Sequence, residues 1–112
     1  MGKSVRRKTR ETQVDVKLDL DGSGRYEVAL PHPFMKHMIE SLARFARFDL
    51  AVCASGDDDH HVVEDVGLTL GRAFREQLGT RSIARIGTAS VPMDEALVMV
   101  SVDLIDRPYA EV

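Results

Sequence analysis

From Thr12 the chain alternates, with Thr12, Val14, Val16, Leu18 and Leu20 on one face and Gln13, Asp15, Lys17 and Asp19 on the other. A period of two predicts a strand with one buried face. Asp21-Gly22-Ser23-Gly24 follows. Glycine and aspartate tolerate positive φ, so this is a turn signal. Tyr26, Val28 and Leu30 then alternate again, and the whole stretch predicts a β-hairpin. Pro31-His32-Pro33 stops the strand, and the period changes. Phe34, Met38, Leu42 and Phe45 recur every three or four residues, with Ile39 and Ala46 beside them and Lys36, Glu40, Arg44 and Arg47 opposite. This predicts an amphipathic helix over about 33–46, with Pro33 in its first turn. Phe48, Leu50, Val52 and Ala54 predict a third strand, ending at Ser55-Gly56.

A second helix is predicted from about His60 to Leu78, with Val63, Val66, Leu70, Phe74 and Leu78 as its apolar stripe. Asp59 is suited to cap its start and Gly79 to end it. Gly67 and Gly71 lie four apart on one face; they either permit close approach of a neighbour or are ordinary tolerated glycines. Ile86 to Val91 reads as a strand, Pro92-Met93-Asp94-Glu95 as a turn, and Leu97 to Ile105 as a strand apolar on both faces. Such a strand is central or lies at an interface. The expected order is β-β-α-β-α-β-β: an α+β half over residues 1–79, then the first hairpin of a second, incomplete half over 80–112. The chain reads as cut short. Uncovered apolar sheet drives association, so a monomer is not expected.

Composition narrows the function classes. The 112 residues suit one compact domain, and 44% hydrophobic with 29% charged residues excludes a wholly disordered chain. The net charge of -3 disfavours a nucleic-acid binder, although residues 2–10 are basic and read as a flexible arm. No apolar run approaches the ~20 residues of a membrane span. The basic N-terminus lacks the apolar stretch of a secretory signal, and Arg6 breaks a myristoylation motif. Cys53 is the single cysteine, so no internal disulfide forms and the cytoplasm is the default compartment. It reads as structural, and His32, between two prolines, as a surface turn residue without a role.

The strongest chemical signal is Asp57-Asp58-Asp59-His60-His61-Val62-Val63-Glu64-Asp65, where the third strand passes into the second helix. His60 and Glu64 are i, i+4 and His61 and Glu64 are i, i+3, so each pair shares a helix face. Adjacent histidines diverge by about 100° and serve two ions more readily than one. Imidazole with carboxylate suits Mn, Fe or Zn rather than Ca or Mg. The competing reading is a solvated acidic loop with histidines at a helix start; the paired imidazoles with a carboxylate one turn on favour metal. His37 lies near the apolar stripe of the first helix and alone would pass for a partly buried histidine. Arg85 precedes a strand and Arg107 precedes Pro108; each is shaped for phosphate, and each reads equally well as solvent-facing.

Taken together, these motifs resemble the imidazoleglycerol-phosphate dehydratase family of histidine biosynthesis. Arg7-Lys8-Thr9-Arg10-Glu11-Thr12 is similar to its Arg-x-Thr-x-Glu-Thr, and Leu18-Asp19-Leu20-Asp21-Gly22-Ser23-Gly24 to its first hairpin. Phe34-Met35-Lys36-His37-Met38-Ile39 resembles Phe-Phe-Asp-His-Met-Leu, and residues 59–65 match Asp-His-His-x-x-Glu-Asp. Val91-Pro92-Met93-Asp94-Glu95-Ala96 and Arg107-Pro108 also match. The resemblance implies two similar α+β halves of a fold type shared with a ribosomal-protein domain. It implies manganese-dependent dehydration of imidazole glycerol phosphate to imidazole acetol phosphate, two Mn2+ per site, and a 24-subunit homo-oligomer with sites at subunit interfaces. By the same resemblance His37, His60, His61 and Glu64 are metal ligands, Arg85 and Arg107 hold the substrate phosphate, and Glu11 is the acid/base. Lys36 stands where the family has aspartate, and Pro31-His32-Pro33 replaces a Gly-Ile-Gly-like stretch. With four histidines, the chain has no second His-His-x-x-Glu. A truncated or non-catalytic fragment of the same fold is therefore the alternative expectation.

Overall fold

Strand β2 (Thr12–Asp19) buries Val14, Val16 and Leu18 on the face that the alternation assigns to the core. It is a central strand in a computed structural model that describes residues 3–112. The chain divides after Gly79 into two compact units. The first contains β1 (Lys3–Lys8), β2, β3 (Tyr26–Ala29), α1 (Pro33–Ala46), β4 (Asp49–Gly56) and α2 (Asp59–Leu78). Its sheet has the order β1-β2-β4-β3. β1 and β4 flank β2 antiparallel, and β3 runs parallel to β4.

Two expectations are corrected here. The described part of the basic N-terminal segment is a strand rather than a flexible arm. Val5 is its one apolar residue, pairs with Val16 and is buried. With a single apolar position there is no period to detect; the hydrogen-bonding edge of β2 supplies the order. The second correction concerns the hairpin, because β2 and β3 do not pair. β4 lies between them, with Val52 opposite both Val16 and Val28. Parallel neighbours need a crossover, and α1 is the crossover from β3 to β4. The turn segment instead crosses the start of β4, where Asp49 Oδ1 accepts the Ser23 and Arg25 amides at 3.0 and 3.1 Å. A Cβ on Gly22 would lie 2.4 Å from the Asp49 backbone nitrogen, so that crossing needs glycine.

Both helices cover one sheet face. Ile39 and Ala43 of α1 and Val62, Val66 and Ala73 of α2 join Val14, Val16, Leu18, Leu50, Val52 and Ala54 in a single aliphatic core. Phe48 and Phe74 meet edge to face at 5.1 Å beside it. α1 begins and ends where the periodicity places it, but His32 does have a role: its Nδ1 caps the helix by accepting the Met35 amide at 3.1 Å. α2 is capped by Asp58, whose Oδ1 accepts the His60 amide at 2.8 Å. Asp59, expected as the cap, is the first helical residue, where its charge faces the positive end of the helix dipole. Gly79 closes α2 at positive φ, as expected. Gly67 and Gly71 have open space where a Cβ would stand, so no close approach is made there. Among the described residues, no helix is long and apolar enough to cross a membrane.

The second unit is an antiparallel hairpin of β5 (Ile86–Met93) and β6 (Ala96–Asp103). Asp94 takes positive φ in its tight turn. Every residue of both strands is exposed, including Leu97, Val98, Met99 and Val100.

Two outcomes follow for the first unit. Leu18→Ala empties a fully buried site between both neighbouring strands and is expected to lower unfolding free energy by about 3 kcal/mol, measured by urea denaturation. The Ser23 and Arg25 amides hold the Asp49 carboxyl below its ordinary range. A depressed carboxyl stabilises the fold above the unfolded value of about 3.9, and that contribution is lost as pH falls through the lower folded value. Asp49→Asn is expected to lose less stability than wild type between about pH 5 and pH 2, read from urea midpoints across that range.

Candidate active site

The register of β2 on β4 sets Thr12 opposite Gly56. It therefore brings the β1–β2 turn, which carries Glu11, against the link from β4 to α2, which carries the histidine motif. The approach is close. A Cβ on Gly56 would stand 2.8 Å from the Glu11 carbonyl oxygen, 2.9 Å from Thr12 Cγ2 and 2.7 Å from Val62 Cγ2. The Asp57 amide donates to that same Glu11 carbonyl at 3.0 Å. Both helices start beyond the C-terminal ends of the parallel strands β3 and β4. His60, His61 and Glu64 occupy the first turns of α2, and His37 the second turn of α1.

His60 Nε2 and Glu64 Oε1 are 2.8 Å apart, and His61 Nδ1 is 3.1 Å from Asp57 Oδ1. The two rings lie 6.1 Å apart at 60°, diverging as adjacent helical positions must. The hydrogen bond to Asp57 raises the His61 pKa; burial opposes it, and the charges of Asp57, Asp58 and Glu11 add to it. A carboxylate on Nδ1 orients an imidazole and leaves Nε2 for a metal, the arrangement common behind metal-bound histidines. His60 and Glu64 hold each other on the exposed surface, where a cation could take the place of the shared proton. The donor set thus suits Mn, Fe or Zn in chemistry. Among the described residues, however, no group of three or more His, Cys, Asp or Glu side chains is arranged to hold an ion, and His37, on α1, is exposed and joins no such group. One chain presents paired donors rather than a closed cage.

The sequence reading missed the support behind these donors. Asp65, next to Glu64, turns inward: its oxygens accept Thr12 Oγ1 and Arg7 Nε, the latter at 3.1 Å. The Thr12 hydrogen bond holds the Asp65 carboxyl below the ordinary range; burial opposes it, and the Arg7 hydrogen bond and charge add to it. The signal was available in Thr12, a polar residue at the head of the buried face of β2.

Arg85 and Arg107 belong to the second unit. Arg85 grips Asp103 with two contacts, at 2.9 and 3.3 Å. Arg107 lines an open cavity of about 640 Å³ with Ser101, Asp103 and Tyr109. Cys53 is exposed on the helix-free face of the first sheet and packs into no core.

The family model for imidazoleglycerol-phosphate dehydratase matches residues 31–112. The chain belongs to the imidazoleglycerol-phosphate dehydratase family. It is 51% identical to the imidazoleglycerol-phosphate dehydratase of Desulfitobacterium hafniense over 109 residues, which are 94% of this chain and 56% of that protein. The structure of the Pyrococcus furiosus dehydratase in complex with (S)-C348 superposes with a TM-score of 0.83 at 40% identity, over 95% of this chain and 57% of the other. That of the Staphylococcus aureus dehydratase superposes at 0.80 and 29% identity, over 97% and 61%. The chain thus spans about half the length of the family members it matches.

The contact at Gly56 is exacting: Thr12 and Val62 are buried, and the Glu11 carbonyl is held by the Asp57 amide. Gly56→Ala is expected to displace the β1–β2 turn and to destabilise the unit by about 1–3 kcal/mol, visible as shifted amide signals for Glu11 and Asp57 and a lower urea midpoint.

Proposed function

We propose that this chain takes part in the manganese-dependent dehydration of imidazole glycerol phosphate to imidazole acetol phosphate, a step of histidine biosynthesis in the cytoplasm. The observation that carries this reading is the hydrogen bond from the Asp57 amide to the Glu11 carbonyl, which sets the β1–β2 turn against the start of α2 with its His60–Glu64 and His61–Asp57 pairs, in a chain of this family. His37, His60, His61 and Glu64 are the metal ligands. Bound Mn2+ supplies Lewis-acid stabilisation of negative charge on the substrate imidazole. Glu11, on an exposed turn, takes the carbon-bound proton as a general base and returns it to the departing hydroxyl, which leaves as water and restores the carboxylate. Arg85 and Arg107 hold the phosphate, the guanidinium fork matching its oxygens, and Arg85 must exchange Asp103 for it.

The paired donors of one chain do not complete a site, so the reading includes association. Donors from further copies, in a homo-oligomer with 24 subunits as in the family, supply the rest of a two-Mn2+ site. The exposed apolar strands β5 and β6 favour such association. A second reading has its own support in the half-length match: a fragment of the enzyme fold that binds metal and self-assembles without turnover.

The test measures retained manganese and product formation together. Wild type is expected to keep Mn2+ through gel filtration, and the double variant His60→Ala/His61→Ala to lose most of it. Glu11→Gln is expected to keep the metal and lose at least about a hundredfold in kcat, the size of a general-base contribution. Unchanged metal content in the histidine variant overturns the ligand assignment. Metal without turnover in wild type selects the fragment reading.

A further inference from the structure

Glu11 sits on a tight turn next to the edge strand β1, an exposed place from which to deliver a proton. Something must hold it, and the hydrogen bonds around it form a closed circuit. Asp65 Oδ1 accepts Arg7 Nε at 3.1 Å and Oδ2 accepts the Thr12 hydroxyl. Arg7 is on β1 just before the turn and Thr12 on β2 just after it, so one carboxylate holds both legs. Within the turn, Thr9 Oγ1 accepts the amides of Glu11 and Thr12, each at 3.1 Å. The Thr9 oxygen also lies 3.1 Å from Thr12 Oγ1 and 3.3 Å from Glu11 Oε2. From Glu11 the circuit returns through its carbonyl to the Asp57 amide at 3.0 Å, and from Asp57 Oδ1 to His61 Nδ1 at 3.1 Å. His61 and Asp65 are one helical turn apart on α2. The circuit begins and ends on one rigid element.

The donor inventory gives the circuit a direction. An ionised carboxylate only accepts, so the single Thr12 hydroxyl proton is committed to Asp65. The Thr9 proton then goes to the Thr12 oxygen or to the Glu11 carboxylate. Adjacent helical positions diverge by about 100°, which separates the two neighbouring carboxylates of the motif. The Glu64 side chain is 58% exposed and that of Asp65 13%. One faces the metal side and the other faces inward to the turn.

We propose that Asp65 is a positioning residue that, through Arg7 and Thr12, clamps the β1–β2 turn and fixes Glu11 beside His61. The proposal rests on the reading of Glu11 as the acid/base and of His61 as a ligand. It adds the residues that set the distance between them.

The experiment uses the full chain and separates the clamp from that reading. Amide hydrogen exchange is followed by NMR for Glu11 and Asp57, with Val66 in the middle of α2 as the internal reference. Thr12→Val keeps the size of the side chain and removes the hydroxyl; Thr12→Ser keeps the hydroxyl. Thr12→Val and Asp65→Ala are expected to speed exchange at Glu11 and Asp57 about tenfold relative to Val66, and Thr12→Ser to stay within about threefold of wild type. Added Mn2+ is expected to broaden the Glu11 and Glu64 amides of wild type, and in Thr12→Val to broaden Glu64 but much less Glu11. Unchanged relative exchange in Thr12→Val overturns the clamp, as does equal acceleration in Thr12→Ser. If Asp65→Ala does not fold, the two threonine variants decide. Absence of Mn2+ broadening in wild type overturns the metal reading, while the exchange rates alone still judge the clamp.

Discussion

The candidate site at one end of the first unit depends on β2 lying antiparallel to β4 in a register that puts Thr12 opposite Gly56. Because side chains alternate, a slip of one residue would turn Val14, Val16 and Leu18 out of the core, so burial holds the register. The same register delivers the β1–β2 turn to the start of α2. Gly56 permits that contact by having no side chain, and the Asp57 amide completes it. Core packing and site geometry are two consequences of one strand pairing.

The sequence made the helices and the central strands legible because each carries its own period. Phe34, Met38, Leu42 and Phe45 place α1, Val14, Val16 and Leu18 place β2, and Gly79 marks the end of α2. What stayed hidden was set by partners rather than by local pattern. β1 has one buried residue and is ordered by the edge of β2. The pairing of β2 with β4 depends on the crossover through α1, which the turn sequence Asp21-Gly22-Ser23-Gly24 does not reveal. At the site, spacing along α2 disclosed that His60 and Glu64 meet. It could not disclose that Asp57 turns to His61, that Asp65 reaches across to Thr12 and Arg7, or that His32 caps α1. Those contacts join residues through folded backbone, and short polar side chains leave no periodic trace.

The two units differ in how far they satisfy their own apolar surface. The first closes a core between one sheet face and two helices. The second leaves the apolar residues of both strands exposed, Leu97 and Met99 at 69% and 72%. A surface of that kind is stable in water chiefly when something covers it. The paired, open donors of α2 are incomplete in the same sense: exposed imidazoles and carboxylates with, among the described residues, no third group to close around an ion. Both features bear on one claim of the proposed function: a metal site here is completed only by association.

Native mass spectrometry of the purified chain, with and without Mn2+, tests that claim most directly because assembly and bound metal are read from the same ions. A defined multimer that carries manganese is expected, with no manganese on any monomer that coexists with it. Manganese held by a monomer, or a defined multimer that takes up none, would contradict it.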